Sequence, residues 1–227
     1  MNEYSFILWH DSEMATTAKS AKRTATREKR RRQLIDAAVK CIARKGLGNT
    51  TIGDVAAEAG LSQGIVNLHF ESKDNLFHET LRQLADEYKM RFESAMNKSR
   101  PLAADRLQAL MELDLSPSIC DRKKIAVWFA FWGEVKSRPT YRKICEKLDE
   151  HYDEVTKGLC DELIAEGNYK GISGAGVSTV LTSITNGLWQ TCLISPKSFD
   201  RQQAMSAINE YLQSIFPKHF PVNSIED

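Results

Sequence analysis

The 227-residue sequence lacks several things whose absence narrows what the chain does. No stretch approaches the ~20 consecutive apolar residues of a membrane-crossing helix, and the Phe6–Trp9 patch is too short, and too poorly flanked by basic residues, for a signal-peptide core. Strand-like alternation of apolar and polar residues is absent, and none of the 6 prolines precedes Pro101. The 5 cysteines, Cys41, Cys120, Cys145, Cys160 and Cys192, are odd in number, scattered and without a CxxC pair. That excludes a disulfide framework and a zinc knuckle and reads as a reduced, cytoplasmic protein. There is no phosphate-cradling glycine loop, no nucleophile elbow and no metal-ligand cluster, so no cofactor, metal or catalytic residue is expected. Glu150, His151 and Asp153 come nearest to a catalytic group, but neighbouring helix positions do not share a face.

Charge is also nearly balanced, at +1 overall, yet it is unevenly placed. Met14 to Lys73 carries 12 Lys and Arg against 5 Asp and Glu, a net of +7, whereas Asp74 onward carries 19 against 22, a net of −3. A basic N-terminal module on a mildly acidic body fits a nucleic-acid reader with a separate regulatory part. The densest basic run is Arg27-Glu28-Lys29-Arg30-Arg31-Arg32, which leads into a helix with Leu34, Ile35, Ala38, Val39 and Ile42 on one face, ending near Gly46. Its cations, Arg27, Lys29 and Arg30 among them, suit contact with phosphates, which supplies affinity without sequence information.

Behind that run, residues 50–73 read as two short helices and a tight turn. Thr50 or Thr51 caps the first, Ile52, Val55, Ala56 and Ala59 form its apolar face, and Gly60 provides the left-handed residue that ends it. Ser62 opens the second, with Ile65 and Val66 inward and Phe70 closing the packing. The pattern is a helix-turn-helix, whose second helix lies in the DNA major groove. The rest reads as helix after helix: Asp74–Ser99, one beginning at Pro101, Lys124–Lys136 buried on every side, Thr140–Glu166, Gly174–Ile194 and Asp200–Phe216. The fold class is therefore all-α, about nine helices: an N-terminal three-helix DNA-binding module (residues 23–73) and a helical effector-binding and dimerisation domain (residues 74–227). Residues 1–22 are expected to be a disordered tail, with Met14 a second candidate start.

The spaced pattern T-I-x-D-V-A-x-x-A-G-x-S-x-G-x-x-x-x-x-F-x-x-K-x-x-L, Thr51 to Leu76, resembles the TetR family of transcriptional repressors. RRRQLIDAA (Arg30–Ala38), WFAFW (Trp128–Trp132) and NGLW (Asn186–Trp189) resemble its BetI-type, betaine-pathway branch. The resemblance implies a homodimer on a palindromic double-stranded operator, released when a small-molecule effector binds the body. It places Gln63, Gly64 and Asn67 where base edges are read. Thr51 and Ser62 fall at helix starts suited to phosphate, His69 and Lys73 at backbone-contacting positions, and Leu68 where relatives carry a larger or more polar side chain. The last two helices, with small residues from Gly174 to Ser183, are expected to pair with their symmetry mates.

For the effector, Trp128, Phe131, Trp132 and Trp189 form either a box for a quaternary ammonium cation, choline being the leading candidate, or plain core. Glu112, Asp114 and Glu134 are candidates for added negative charge. Two other readings stand beside the ligand-released repressor: a constitutive DNA binder without ligand, and a helical enzyme.

Overall fold

The computed structural model describes residues 3–221, with side chains described from Thr26. The expectations for the 1–22 tail, Phe6–Trp9 and Met14 lie outside the residues whose side chains are described. Among the described residues there are nine helices and no strand: α1 Glu3–Asn49, α2 Ile52–Ala59, α3 Gln63–Phe70, α4 Lys73–Lys98, α5 Ala103–Leu115, α6 Arg122–Trp132, α7 Pro139–Gly167, α8 Gly174–Ile194 and α9 Arg201–Ile215. None of the described helices is long and apolar enough to cross a membrane.

Local chemistry accounts for the module's boundaries. Gly46 breaks α1 at φ 76°, a left-handed conformation that glycine adopts without a Cβ clash. Thr51, not Thr50, caps α2: its hydroxyl accepts from Asp54 N, and the Asp54 carboxylate accepts from Thr51 N in return. Thr50 is instead buried, its hydroxyl donating to Gly46 O at 2.7 Å. Gly60 ends α2 at φ 64°, with its N–H on the carbonyls of Ala56 and Ala57. Ser62 stands at the start of α3, but its side chain makes no capping bond. Two boundaries fall elsewhere than expected. Pro101 lies two residues before α5, and α6 begins at Arg122, where Asp121 accepts from two backbone N–H groups, and stops at Trp132. Nor is α6 buried all round; Arg122 and Lys123 are exposed and Phe129 and Trp132 are half-buried.

Two apolar cores result. The first joins Leu34, Ala38 and Ile42 of α1, Val55 of α2, Val66 and Phe70 of α3, Leu76 to Ala85 of α4, and Val127, Trp128 and Phe131 of α6. The second joins Tyr88 and Phe92 of α4 with Leu107 to Leu115 of α5 and the inner faces of α7, α8 and α9. Helices α4 and α6 contribute to both, so the helix-turn-helix shares its interior with the body.

Close approach at one glycine organises the second core. Gly174 starts α8 against α7, its N–H donating to Asp161 Oδ1 at 3.1 Å. A Cβ there would collide with the Asp161 carboxylate and lie 2.7 Å from the Lys157 carbonyl oxygen. Gly174→Ala is expected to destabilise the protein by about 1–3 kcal/mol through overpacking. Gly158→Ala in α7, where a Cβ meets nothing within 4 Å, is expected to be neutral or to stabilise by up to about 1 kcal/mol through helix propensity. Thermal melts of the two variants check this; equal melting temperatures would contradict it.

Candidate nucleic-acid interface and body cavity

Ion pairing sorts the basic residues of α1 into two sets. Lys40 and Arg44 pair with Glu58 (3.5 and 3.3 Å) and Lys45 with Asp54 (2.6 Å), fastening α2 to α1. The Lys45 ammonium and the Thr51 hydrogen bonds hold the Asp54 carboxyl down at about 2. Arg31 lies 4.9 Å over the Phe70 ring and pairs with Glu79, joining α1, α3 and α4 at one point. Arg27, Lys29, Arg30 and Arg32 stay exposed. Arg27, Arg31 and Arg30 stand close enough to His69 of α3 to add to burial, the larger cause, in lowering its pKa. The basic stretch of α1, residues 27–32, therefore lies beside the second helix of the helix-turn-helix.

On α3, Ser62, Gln63, Gly64, Asn67 and Leu68 are exposed, while Val66 and Phe70 face the core and His69 is half-buried. Leu68 is 71% exposed, an unusual position for a leucine. A Cβ at Gly64 would meet only Ser62 Oγ, at 3.8 Å, so the backbone there is open to a close partner. The Gln63 amide reaches across α2 to within 3.0 Å of where a Gly53 Cβ would stand. Thr51 and Ser62 stand at the starts of α2 and α3, and the exposed cations Arg27, Lys29, Arg30 and Arg32 lie midway along α1. Lys73 is less free than expected: its ammonium reaches Gly48 O at 3.4 Å and lies 5.3 Å over the Phe77 ring.

A cavity of about 570 Å³ opens to solvent between α7 and α8, floored by α4, α5 and α6, with Arg142, Glu146, Asp149 and Asp153 exposed at its rim. Trp128, Trp132 and Trp189 all line it. Trp132 stacks on Trp189 with centroids 6.4 Å apart and planes at 11°, and Trp128 lies 6.2 Å from Trp132. Phe131 does not join them. It is 0% exposed and points into the first core, edge-on to Tyr141 at 5.0 Å. One turn of helix carries Trp128 and Trp132 to the cavity side, and Phe131, one residue before Trp132, faces away. Of the three candidate acids only Asp114 reaches the cavity. Glu112 is exposed and bonded by Gln108, and Glu134 lines a separate cleft of about 210 Å³ with Lys73 and Tyr141.

Asp114 is 2% exposed. Tyr88 and Tyr152 donate to its two carboxylate oxygens at 2.7 and 2.9 Å, and Trp189 Nε1 donates to its backbone carbonyl at 2.9 Å. Burial pushes its carboxyl up to about 6 against those hydrogen bonds, which act to hold it down. Glu146, Asp149 and Asp153 of α7 also line the cavity, with Arg142 the single cation, 3.3 Å from Glu146. Four carboxyl groups against one guanidinium make the wall acidic. The sequence reading missed Tyr88, Tyr152, Asp149 and Asp153. The signal for Asp149 and Asp153 was the 142, 146, 149, 153 spacing, which puts one charged stripe on a single face of α7; nothing local in the sequence pointed to the two tyrosines. All five cysteines are free and buried; burial pushes the Cys145 thiol up to about 11 and Cys120 and Cys160 to about 12, which makes them unreactive.

Residues 103–217 match the C-terminal domain of BetI-type transcriptional repressors, and residues 34–80 match the tetR family of bacterial regulatory proteins. The BetI regulator of Burkholderia thailandensis is 30% identical over 193 residues, spanning 82% of this chain and 93% of that one. The BetI regulator of Paraburkholderia xenovorans is 29% identical over 195 residues, spanning 83% and 94%. Among solved structures, a transcriptional regulator of Pseudomonas aeruginosa PAO1 superposes with a TM-score of 0.74 at 24% identity, covering 85% of this chain and 94% of that one. A regulator of Saccharomonospora viridis in complex with choline also superposes at 0.74, at 23% identity, covering 82% and 96%.

The buried carboxyl gives a testable pH dependence. Its folded pKa lies above the unfolded value, so the folded state holds the extra proton between pH about 4 and 6. Its contribution is therefore most favourable below the unfolded pKa and is lost as pH rises through about 6. Asp114→Asn is expected to remove that loss: relative to the wild type, the variant gains stability from pH 4.5 to pH 7.5. Melting curves at both pH values check this, and a constant difference between the two proteins would contradict it.

Proposed function

The chain belongs to the tetR family of bacterial regulatory proteins and carries the C-terminal domain of a BetI-type transcriptional repressor, and on that premise we propose that two copies hold a palindromic operator until a small cation fills the cavity. The observation that carries the ligand half is the Trp132–Trp189 stack beside the buried Asp114, inside a wall with surplus carboxyl groups. Aromatic faces attract a quaternary ammonium group, and a carboxylate in a dry interior attracts it more strongly than one in water. The choline held by the Saccharomonospora viridis regulator is a cation of this class, and choline is the effector proposed here.

For the DNA half, Gln63, Gly64, Asn67 and Leu68 face base edges, with Gly64 admitting close backbone approach. Arg27, Lys29, Arg30, Thr51, Ser62, His69 and Lys73 neutralise or bond the flanking phosphates. Two copies pair through α8 and α9, covering Val180 and Ile194, which are 40% and 68% exposed in the single chain. Residues 23–73 then serve as the DNA-binding part and 74–227 as the effector and dimer part. Release follows because Trp128 belongs both to the cavity wall and to the core of the helix-turn-helix. A cation that favours one arrangement of α6 and α4 shifts the spacing of the two recognition helices, and by linkage operator DNA weakens cation binding by the same factor.

Two measurements test the two halves. Gln63→Ala and Asn67→Ala are each expected to cost about 1–3 kcal/mol on the operator and little on random duplex, whereas Lys73→Ala weakens both alike; two chains should bind per duplex. Unchanged operator affinity in both α3 variants would refute the α3 assignment. Choline is expected to quench tryptophan fluorescence and release the operator. Its affinity should rise from pH 5 to pH 7, because Asp114 must ionise to attract it. Release by a neutral or anionic metabolite, with no response to any quaternary ammonium, would refute the ligand half and leave the repressor standing. A melting temperature indifferent to all small molecules would favour the constitutive reading.

A further inference from the structure

Helix α3 buries one side and bares the other. Val66 and Phe70 face the core, and with 3.6 residues per turn the line directly opposite Val66 runs between Gly64 and Leu68. Leu68 is the most exposed large apolar side chain among the described residues, and it joins neither apolar core. One turn before it, Gly64 has no side chain to hold an approaching surface away, and a Cβ there would meet only Ser62 Oγ. The surroundings are basic: Arg27 and Arg30 are exposed and stand near His69, the next residue after Leu68. An apolar side chain at the centre of a cationic surface fits a partner that is anionic at its walls and carries an apolar group on its floor. The DNA major groove is such a partner, with phosphates at its edges. The thymine 5-methyl is the apolar group its base edges present.

Resting on the α3 assignment above, we infer that Leu68 is a specificity-determining residue that reads one thymine in each operator half-site through the 5-methyl group. Leucine carries no donor or acceptor on its side chain. Seated against the edge of guanine, adenine or cytosine it strips water from a polar group and returns no hydrogen bond. Seated against the thymine methyl it buries apolar surface on both sides. The preference therefore has an attractive part and a repulsive part. Gln63 and Asn67 carry amides, which answer donors and acceptors on the base edges; Leu68 answers the one feature an amide does not.

The test uses the full-length protein and a palindromic duplex that it selects from a random-sequence pool. That duplex is resynthesised with uracil in place of each thymine in turn, at symmetric positions of both half-sites. Uracil keeps the base pair and removes only the methyl. The wild type is expected to lose about fourfold in affinity per half-site at the thymine that Leu68 contacts, the worth of one buried methyl group. In Leu68→Ala the thymine and uracil duplexes at that position bind alike. Leu68→Met, which stays apolar and of similar length, keeps the discrimination. Leu68→Ala should match the wild type in melting temperature and in affinity for random duplex, because the side chain packs in neither core. Indifference of the wild type to uracil at every thymine overturns the inference, as does discrimination that survives unchanged in Leu68→Ala. A lower melting temperature in Leu68→Ala also overturns it, by showing a packing role. In each of these cases a loss of operator affinity in Gln63→Ala and Asn67→Ala leaves the α3 assignment standing. Failure to select any duplex removes that assignment and this inference together.

Discussion

The packing of one short helix joins the DNA face to the cavity. Helix α6 is 11 residues long and is wedged between α1 of the DNA module and α7 and α8 of the body. Val127 and Phe131 fill the core that carries the helix-turn-helix, Ile125 fills the core of the body, and Trp132 touches both. Trp128 has one side in the first core and the other on the cavity. Interiors packed to crystal-like density do not deform continuously, so a change at the cavity wall moves the helix or nothing. Helix α4 provides the second connection, with Leu76 to Ala85 under the recognition helix and Tyr88 on Asp114.

Electrostatics divides the molecule along the same line. The basic stretch 27–32 of α1 lies beside α3, and the acidic stripe of α7 faces the cavity. Along α1, pairing decides which cations are available. Lys40, Arg44, Lys45 and Arg31 are occupied in holding α1, α2, α3 and α4 together, which leaves the exposed residues Arg27, Lys29, Arg30 and Arg32 to face outward. Within the cavity, the buried Asp114 carboxyl is the group least comfortable without a counter-charge, since its burial outweighs two tyrosine hydrogen bonds. The cationic ligand proposed above would relieve that imbalance.

The helix-turn-helix, the nine helices and the family were legible in the order of residues, because each rests on local rules. Thr51 with Asp54, Gly60 at a positive φ, and apolar residues three and four apart act over a single turn of helix. Apolar periodicity likewise located α4 to α9, with errors of a few residues: α6 starts earlier because Asp121 caps it, and α5 starts two residues after Pro101. The choice of Trp128, Trp132 and Trp189 as a cluster came from the resemblance together with the helical spacing of the first two, and the structure brings all three to one wall.

What the sequence could not decide was how the faces turn toward one another. Phe131 and Trp132 are adjacent in the chain, yet one closes the DNA-module core and the other lines the cavity, a division set by where α6 lies between its neighbours. Tyr88, Asp114 and Tyr152 come from three helices and meet only because α4, α5 and α7 cross at one point. The sequence by itself determined the helices, their caps and the kind of protein, since those depend on interactions a few residues apart. The tertiary structure alone decided the membership of the cavity, because burial, hydrogen-bond partners and charge balance belong to residues that only folding brings together.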